Sequence, residues 1–273
     1  MTLPRLVDYS SDDSLSDEND ESVKSLPAGQ SEATKSDYSA PNFTQKEDAL
    51  PLPFEIKQMY KETPCEIVDD DSSKHGGKIR SFPHERGVWA TYVYIEYNPE
   101  PEFYNMVEEL KKRASDHGID LQVPKDFHVS LTKTLKLRHH WISPFIDALR
   151  NKLSCHFQFK VFFDSLEVYE NEEKTRTFLG LKIRSDVHLL KLLEKVDSCV
   201  KEFKLPIFYE DPSFHLSCAS CVGSQAEEIE RFWADLNIIF QSFIVSYPDY
   251  RRLLVPKVCC KSGNKLFTVN LKS

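Results

Sequence analysis

Two short segments of the chain place a histidine and a serine two residues apart within the same pattern of neighbours. Residues 127–130 read Phe-His-Val-Ser, and residues 214–217 read Phe-His-Leu-Ser. Successive side chains of a β-strand point to opposite faces, so each segment would present its imidazole and its hydroxyl together and turn its apolar residues the other way. His128 and His215 are 87 residues apart.

Two histidines and two hydroxyls suit the cleavage of RNA without a metal. RNA carries its own nucleophile, the 2′-hydroxyl, and in-line attack needs a base for its proton and an acid for the departing 5′ oxygen. Histidine can take either part near neutral pH because its unperturbed pKa is about 6.5. The hydroxyls of Ser130 and Ser217 could donate hydrogen bonds to the phosphate oxygens. DNA lacks the 2′-hydroxyl, so such a site would not cleave it.

The residues leave two points open. They do not say which histidine is the base and which is the acid. The same site, run in reverse with water as nucleophile, would hydrolyse a 2′,3′-cyclic phosphate.

The elements that must position the two segments repeat along the chain. Strand-like stretches start near residues 88 and 176, and helical stripes start near 103 and 189. The offset of about 87 residues predicts two β-α-β-α-β units, at about 88–170 and 176–271, related by a pseudo-two-fold axis. We expect an α/β (α+β) fold of two such lobes with largely antiparallel sheets around a central cleft, across which the histidines meet.

Two local patterns mark the end of the second unit. Ser224 and Glu227 form a capping-box pattern ahead of a helical stripe at 229–240. Residues 252–260 are predicted to be a closing strand.

The acidic charge is concentrated in the N-terminal segment. The 273 residues include 35 Lys+Arg and 43 Asp+Glu, of which residues 1–50 carry 4 and 11, and residues 81–273 carry 26 of each. The first segment has too few apolar residues to offset the entropy of ordering. We predict a disordered acidic tail over 1–80 and a folded domain over 81–273, whose near-neutral charge does not exclude RNA as a partner.

Several classes of protein are excluded. No apolar run approaches 18 residues, and the N-terminus lacks the layout of a signal peptide, so we expect no membrane partner. Seven cysteines, an odd number, predict reduced thiols in a cytosolic or nuclear protein. Cys218 and Cys221 have zinc-ligand spacing, but a strand would point Cys218 away from Ser217, and structural thiols are favoured.

Four stretches of the chain resemble the U6 RNA phosphodiesterase family of the 2H phosphoesterase superfamily. They are residues 80–94 (RSFPHERGVWATYVY), 169–178 (YENEEKTRTF), 208–217 (FYEDPSFHLS) and 261–267 (KSGNKLF). The resemblance implies a 2H phosphoesterase fold and a nuclear 3′–5′ exoribonuclease that trims the 3′ oligouridine end of U6 snRNA. We expect a monomer that uses no metal or other cofactor.

The resemblance also implies roles for individual residues. His128 and His215 would be the acid–base pair, and Ser130 and Ser217 would hold phosphate. Tyr209 would lie against a nucleobase, where stacking is worth about 1–3 kcal/mol.

Further substrate contacts are weaker candidates. Asp211 and Ser213 are candidates for a uracil edge or a phosphate, and Glu172 is a candidate for the terminal nucleotide. Three cations follow the first histidine and either guide the RNA backbone or form a solvated face: Lys133, Lys136 and Arg138.

The leading hypothesis is thus a metal-independent exoribonuclease that leaves a 2′,3′-cyclic phosphate or a 3′-phosphate. Two alternatives remain: a 2′,3′-cyclic nucleotide phosphodiesterase, and a non-catalytic RNA-binding protein of the spliceosome.

Overall fold

The computed structural model describes residues 5–7, 82 and 85–273 of the chain. All of them belong to one compact unit. The predicted acidic tail over 1–80 therefore lies outside the described residues except for one short strand. That strand, β1 (Arg5–Val7), pairs in parallel with residues 169–171.

Strands and helices form where apolar residues recur with periods of 2 and about 3.6. After β1, the elements in chain order are β2 (Val88–Tyr97), α1 (Pro101–Asp116), β3 (Phe127–Ser130), β4 (Leu135–Arg138), α2 (Ile142–Leu153), β5 (Phe159–Asn171), β6 (Arg176–Ile183), α3 (Val187–Glu202), β7 (His215–Val222), α4 (Ala226–Glu230), α5 (Trp233–Ser246), β8 (Arg252–Val255), β9 (Lys257–Ser262) and β10 (Lys265–Asn270). Single 3₁₀ turns, His139–Trp141 and Pro248–Arg251, precede α2 and β8.

The described strands form one sheet in the order β1-β5-β6-β7-β3-β2-β9-β10, with β4 also paired to β2 and β8 to β5. Apart from the pairing of β1, these pairings are antiparallel. The predicted α/β fold with largely antiparallel strands is confirmed. The order is symmetric about the β7–β3 contact, because β7-β6-β5-β1 on one side corresponds to β3-β2-β9-β10 on the other.

The two halves of the sheet exchange strands. β5 closes the first predicted unit yet pairs with β6, and β9 closes the second unit yet pairs with β2. Each half-sheet is therefore completed by a strand from the other part of the sequence. The exchange ties the halves together and brings β3 and β7 to the centre.

The helices pack on one face of the sheet. Their apolar stripes bury Leu110 of α1, Leu149 of α2 and Val196 of α3 in a single core. Val129 of β3 and Leu216 of β7 belong to the same core and are 0% exposed. The alternate residues of these central strands consequently face the opposite side of the sheet, away from the helices. No helix in the described ranges combines the length and apolar character needed to cross a membrane.

The predicted capping box at Ser224 is wrong. Gln225 occupies the N-cap of α4, and its side chain makes no capping hydrogen bond. Ser224 Oγ instead donates to Glu170 Oε1 at 2.6 Å, and the Glu170 side chain is 2% exposed. A buried carboxylate without donors costs more than an uncapped helix end, so this hydrogen bond prevails.

The predicted closing strand over 252–260 is two strands. Pro256 separates them because it has no amide hydrogen to donate to a ladder. As a result, β8 pairs with β5 while β9 pairs with β2.

Two glycines with positive φ allow a matched test of packing at the edge of the sheet. Gly263, in the β9–β10 turn, has a φ of +56°, and a Cβ there would overlap the Trp89 indole. Gly118, after α1, has a φ of +78° and open space around it. We expect Gly118→Ala to cost about 1 kcal/mol of unfolding free energy from backbone strain alone. Gly263→Ala should cost about 2–4 kcal/mol because the indole must also move.

Urea denaturation of the two variants and the parent protein measures both costs. Equal losses for Gly118→Ala and Gly263→Ala would contradict the packing of Trp89 against this turn.

Candidate active site

The pairing of β3 with β7 brings the two His-x-Ser segments side by side. Val129 lies opposite Leu216 in antiparallel register. By the same register, His128 lies opposite Ser217, and Ser130 lies opposite His215. Directly opposed residues share a face of the sheet, so all four polar side chains lie on the face turned away from the helices.

The His215 ring is buried and held from two directions. The side chain is 8% exposed, and its Nδ1 lies 2.7 Å from the carbonyl oxygen of Ser213. Since a carbonyl can only accept, Nδ1 carries the hydrogen, and in the neutral ring Nε2 is left with the lone pair. The ring of Tyr169 stacks on the imidazole with centroids 4.0 Å apart and planes at 21°.

The His128 ring has different surroundings. It is half-buried and meets Tyr94 edge-on at 5.4 Å and Tyr92 at 6.0 Å. Burial lowers the pKa of His128 below its ordinary 6.5; Asp126 raises this pKa through a backbone hydrogen bond and its charge, and the Lys261 ammonium lowers it. The net direction is downward, so the neutral imidazole is favoured at pH 7.

An ion pair flanks each histidine, with the signs reversed. Glu96 lies opposite His128 on β2 and pairs with Lys257 of β9 at 2.7 Å. Lys182 lies opposite His215 on β6 and pairs with Glu167 of β5 at 3.0 Å. The carboxylate is thus next to one histidine and the ammonium next to the other.

Tyr209 and Glu172, two of the predicted substrate-binding residues, come together through Lys133. The Lys133 ammonium lies 4.3 Å from the centre of the Tyr209 ring and 3.7 Å from the Glu172 carboxylate. Tyr209 is half-buried and Glu172 is exposed. Lys133 follows the first His-x-Ser strand by three residues, so this cluster lies beside the site.

The other predicted substrate residues, Asp211 and Ser213, line a polar cleft of about 490 Å³ with Lys182 and Arg184. Neither histidine lines this cleft, but Ser213 links it to His215 through its carbonyl oxygen. The cleft therefore borders the histidine pair on the β6 side.

The remaining cations and cysteines have separate environments. Lys136 lies over Phe82 at 4.7 Å, and Arg138 lies over Trp141 at 5.9 Å. Burial raises the pKa of Cys218 to about 12 and that of Cys221 to about 11, as expected of inert structural thiols. Among residues 85–273, no group of three or more His, Cys, Asp or Glu side chains could hold a metal ion.

Sequence patterns missed the aromatic residues that enclose the histidines. Tyr169 and Phe178 form one cluster apart from the core, and Tyr92, Tyr94 and Cys259 form another. The alternation of residues 88–97 could have indicated that Tyr92 and Tyr94 share a face, but not which histidine they meet.

The surroundings of His128 predict its titration. We expect its NMR titration midpoint to lie below 6.5, to rise in Lys261→Met because a nearby positive charge is removed, and to fall in Asp126→Asn because a negative one is removed. Lys265→Met, which removes an exposed lysine of β10, serves as the control and should leave the midpoint unchanged. A midpoint above 6.5, or a fall in Lys261→Met, contradicts this description.

Comparison with known proteins identifies the family. The HVSL family model, described as an uncharacterised conserved protein, matches residues 50–270. U6 snRNA phosphodiesterase 1 of Danio rerio is 45% identical over 228 residues, which cover 82% of this chain and 81% of the relative. The Homo sapiens protein of that name is 38% identical over 276 residues and covers 100% of both chains.

Among solved structures, Kluyveromyces marxianus Usb1 aligns with a TM-score of 0.49 and 15% identity, over 69% of this chain and 100% of that one. The sequence relatives are far more similar, and their alignments extend over four fifths or more of both chains. On that similarity, the chain belongs to the HVSL family and, within it, to the U6 snRNA phosphodiesterase 1 family.

Proposed function

We propose that the chain is a metal-independent 3′–5′ exoribonuclease that trims the 3′ oligouridine end of U6 snRNA through attack by a 2′-hydroxyl. The observation that carries the proposal is the β3–β7 register, which places two histidines and two serines on one face of adjacent strands. The activity in the relatives' name, U6 snRNA phosphodiesterase, supplies the substrate.

The register suits a phosphate held between the two imidazoles. His128 and His215 are diagonal neighbours across an antiparallel pair, with Cα atoms about 7–8 Å apart. One imidazole takes the proton of the 2′-hydroxyl of the penultimate nucleotide as that oxygen bonds to phosphorus. The other protonates the 5′ oxygen of the terminal nucleoside as its bond to phosphorus breaks. Ser130 and Ser217, one beside each histidine, donate to the non-bridging oxygens.

The departing nucleoside fits the Tyr209 cluster. A nucleobase can stack on an aromatic face with little sequence preference, for about 1–3 kcal/mol. The Lys133 ammonium already lies against the ring of Tyr209 and the carboxylate of Glu172. A terminal uridine placed there would meet an aromatic ring, a cation and an acceptor within one cluster. Asp211 and Ser213, in the adjoining cleft, are then available to the next nucleotide.

The position of the nucleophile makes the mechanism testable with single-atom changes in the RNA. An oligouridine with one 2′-deoxy residue at the penultimate position should resist cleavage of its last bond, because that residue must supply the attacking hydroxyl. The same RNA with 2′-deoxy at the terminal position should be cleaved normally. Both reactions are followed by gel electrophoresis in excess EDTA. Cleavage of the first RNA, or loss of activity in EDTA, contradicts the proposal.

The histidines should be necessary one by one. We expect His128→Ala and His215→Ala each to lower kcat by about 10²- to 10⁴-fold, since each loses one proton transfer. His140→Ala is the matched control, because His140 is exposed in the 3₁₀ turn before α2. Full activity in either site variant would contradict the assignment of that histidine to the acid–base pair. The alternative of a non-catalytic RNA-binding protein predicts instead that the parent chain binds oligouridine RNA without shortening it.

A sulfur substitution separates the acid from the base. A substrate with a bridging 5′ sulfur has a leaving group that needs no protonation. We expect this substrate to restore cleavage in the variant that lacks the acid and to leave the other variant inactive. Rescue of both variants, or of neither, would contradict a one-acid, one-base mechanism.

The end group of the product distinguishes the remaining possibilities. We propose a 2′,3′-cyclic phosphate as the primary product, with a 3′-phosphate where water opens the ring. Mass spectrometry of the shortened RNA reports which end is present. Hydrolysis of isolated 2′,3′-cyclic nucleotides without any shortening of RNA would instead support the cyclic nucleotide phosphodiesterase.

We place this activity in the nucleus and assign it to the monomer. The U6 substrate supports the location, and the chain itself supplies both histidines, so catalysis needs no second copy. Imaging of a tagged chain and its sedimentation with and without RNA test these two assignments.

A further inference from the structure

Tyr169 reaches His215 from two strands away. It belongs to β5, whereas His215 belongs to β7, and β6 lies between them in the sheet. The Tyr169 side chain is 0% exposed, and its ring stacks on the imidazole at 4.0 Å. The ring must therefore cross over the backbone of β6 on the site face.

Gly180 provides the place where the ring crosses. In register, Gly180 of β6 lies between Glu167 of β5 and Ser217 of β7. A Cβ at Gly180 would lie 3.2 and 3.3 Å from Cε2 and Cδ2 of Tyr169, and 3.1 Å from the carbonyl oxygen of Leu216. Glycine weakens a strand interior, and its presence there is typical of a close approach by another group. Here the approaching groups are the tyrosine ring and the carbonyl oxygen of Leu216.

We propose that Tyr169 is a positioning residue for the reaction, and that Gly180 is required because it leaves room for the tyrosine ring over β6. The Ser213 carbonyl holds one nitrogen of His215, and a hydrogen bond to a ring nitrogen constrains the tilt of the imidazole plane less than a stacked ring does. The stacked ring fixes that plane, so that Nε2 points to the side where the phosphate lies. A misplacement of about 1 Å at a reacting group can cost about 100-fold in rate.

The inference rests on the proposed function, and steady-state kinetics on oligouridine RNA tests it. Tyr169→Leu should lower kcat about 10- to 100-fold and change KM less than about twofold, because it disturbs the reacting group rather than RNA binding. Tyr169→Phe keeps the ring and should restore kcat to within about threefold of the parent enzyme.

Proton NMR reports the stack directly. In the parent protein the carbon-bound protons of the His215 ring should be shifted upfield by the adjacent tyrosine ring. We expect Tyr169→Phe to keep that shift and Tyr169→Leu to lose it. If Tyr169 only stabilised the fold, the loss of kcat among the variants would not follow the loss of the upfield shift of the His215 protons.

A double-mutant cycle tests the part played by Gly180. Gly180→Ala should lower kcat in the parent background, because its Cβ displaces the ring of Tyr169. In the Tyr169→Leu background the same change should cost less, since no ring remains to be displaced and only the contact with the Leu216 carbonyl oxygen persists. Equal losses in both backgrounds would overturn the role assigned to Gly180.

Tyr97→Leu controls for the loss of a buried tyrosine. Tyr97 packs edge-on against Phe103 and Phe163 in the helix-covered core. It should lower the unfolding temperature yet leave kcat unchanged at a temperature where all variants are folded by circular dichroism.

Three outcomes overturn the inference: full kcat in Tyr169→Leu, a loss in Tyr169→Phe as large as in Tyr169→Leu, or a matching loss in Tyr97→Leu. If the parent enzyme does not shorten RNA at all, the proposed function fails instead.

Discussion

The site depends on one contact between the two central strands of the sheet. Val129 of β3 and Leu216 of β7 lie opposite each other, and both are fully buried in the helix-covered core. Burying such side chains is worth about 1.5–3 kcal/mol each, which exceeds the roughly 0.5–1.5 kcal/mol that a typical hydrogen bond contributes. Because side chains alternate along a strand, a slip of one residue in either strand would send the histidine of that strand into the core. Apolar packing on one face therefore sets the position of the polar groups on the other.

The symmetry of the sheet creates two equivalent positions, and their surroundings make them unequal. His128 has a carboxylate opposite it on β2 and meets tyrosine edges, whereas His215 has an ammonium opposite it on β6 and a stacked ring. An acid and a base must differ in protonation at the same moment. A strictly symmetric site would leave the two imidazoles interchangeable. The reversed ion pairs make the surroundings of the two imidazoles unequal, as the proposed acid and base require, while the strand order keeps the two histidines close together.

Local patterns predicted the parts of this site, and non-local pairing decided how they meet. The alternation around His128 and His215, and the offset between them, indicated two strands with one polar face each. Nothing local could indicate that β5 pairs with β6 and β9 with β2, because this exchange depends on contacts far apart in the sequence. Tyr169 was missed for that reason. The predicted capping box is wrong for a related reason. Ser224 donates a hydrogen bond to the buried Glu170, and the residues next to Ser224 in the sequence do not indicate this contact.

The charges around the histidines argue for selectivity in the catalytic step rather than for strong binding. Lys133, Lys182 and Lys257 each lie within 4 Å of a carboxylate, and residues 81–273 carry equal numbers of cationic and acidic side chains. A nuclease that relied on unpaired cations would bind any polyanion, DNA included, and would lose affinity steeply with salt. A cation that is already paired with a carboxylate contributes little to the non-specific attraction of a polyanion. In the mechanism proposed above, discrimination then falls to the two imidazoles and the serines beside them, which act only when a 2′-hydroxyl and a phosphate are both present.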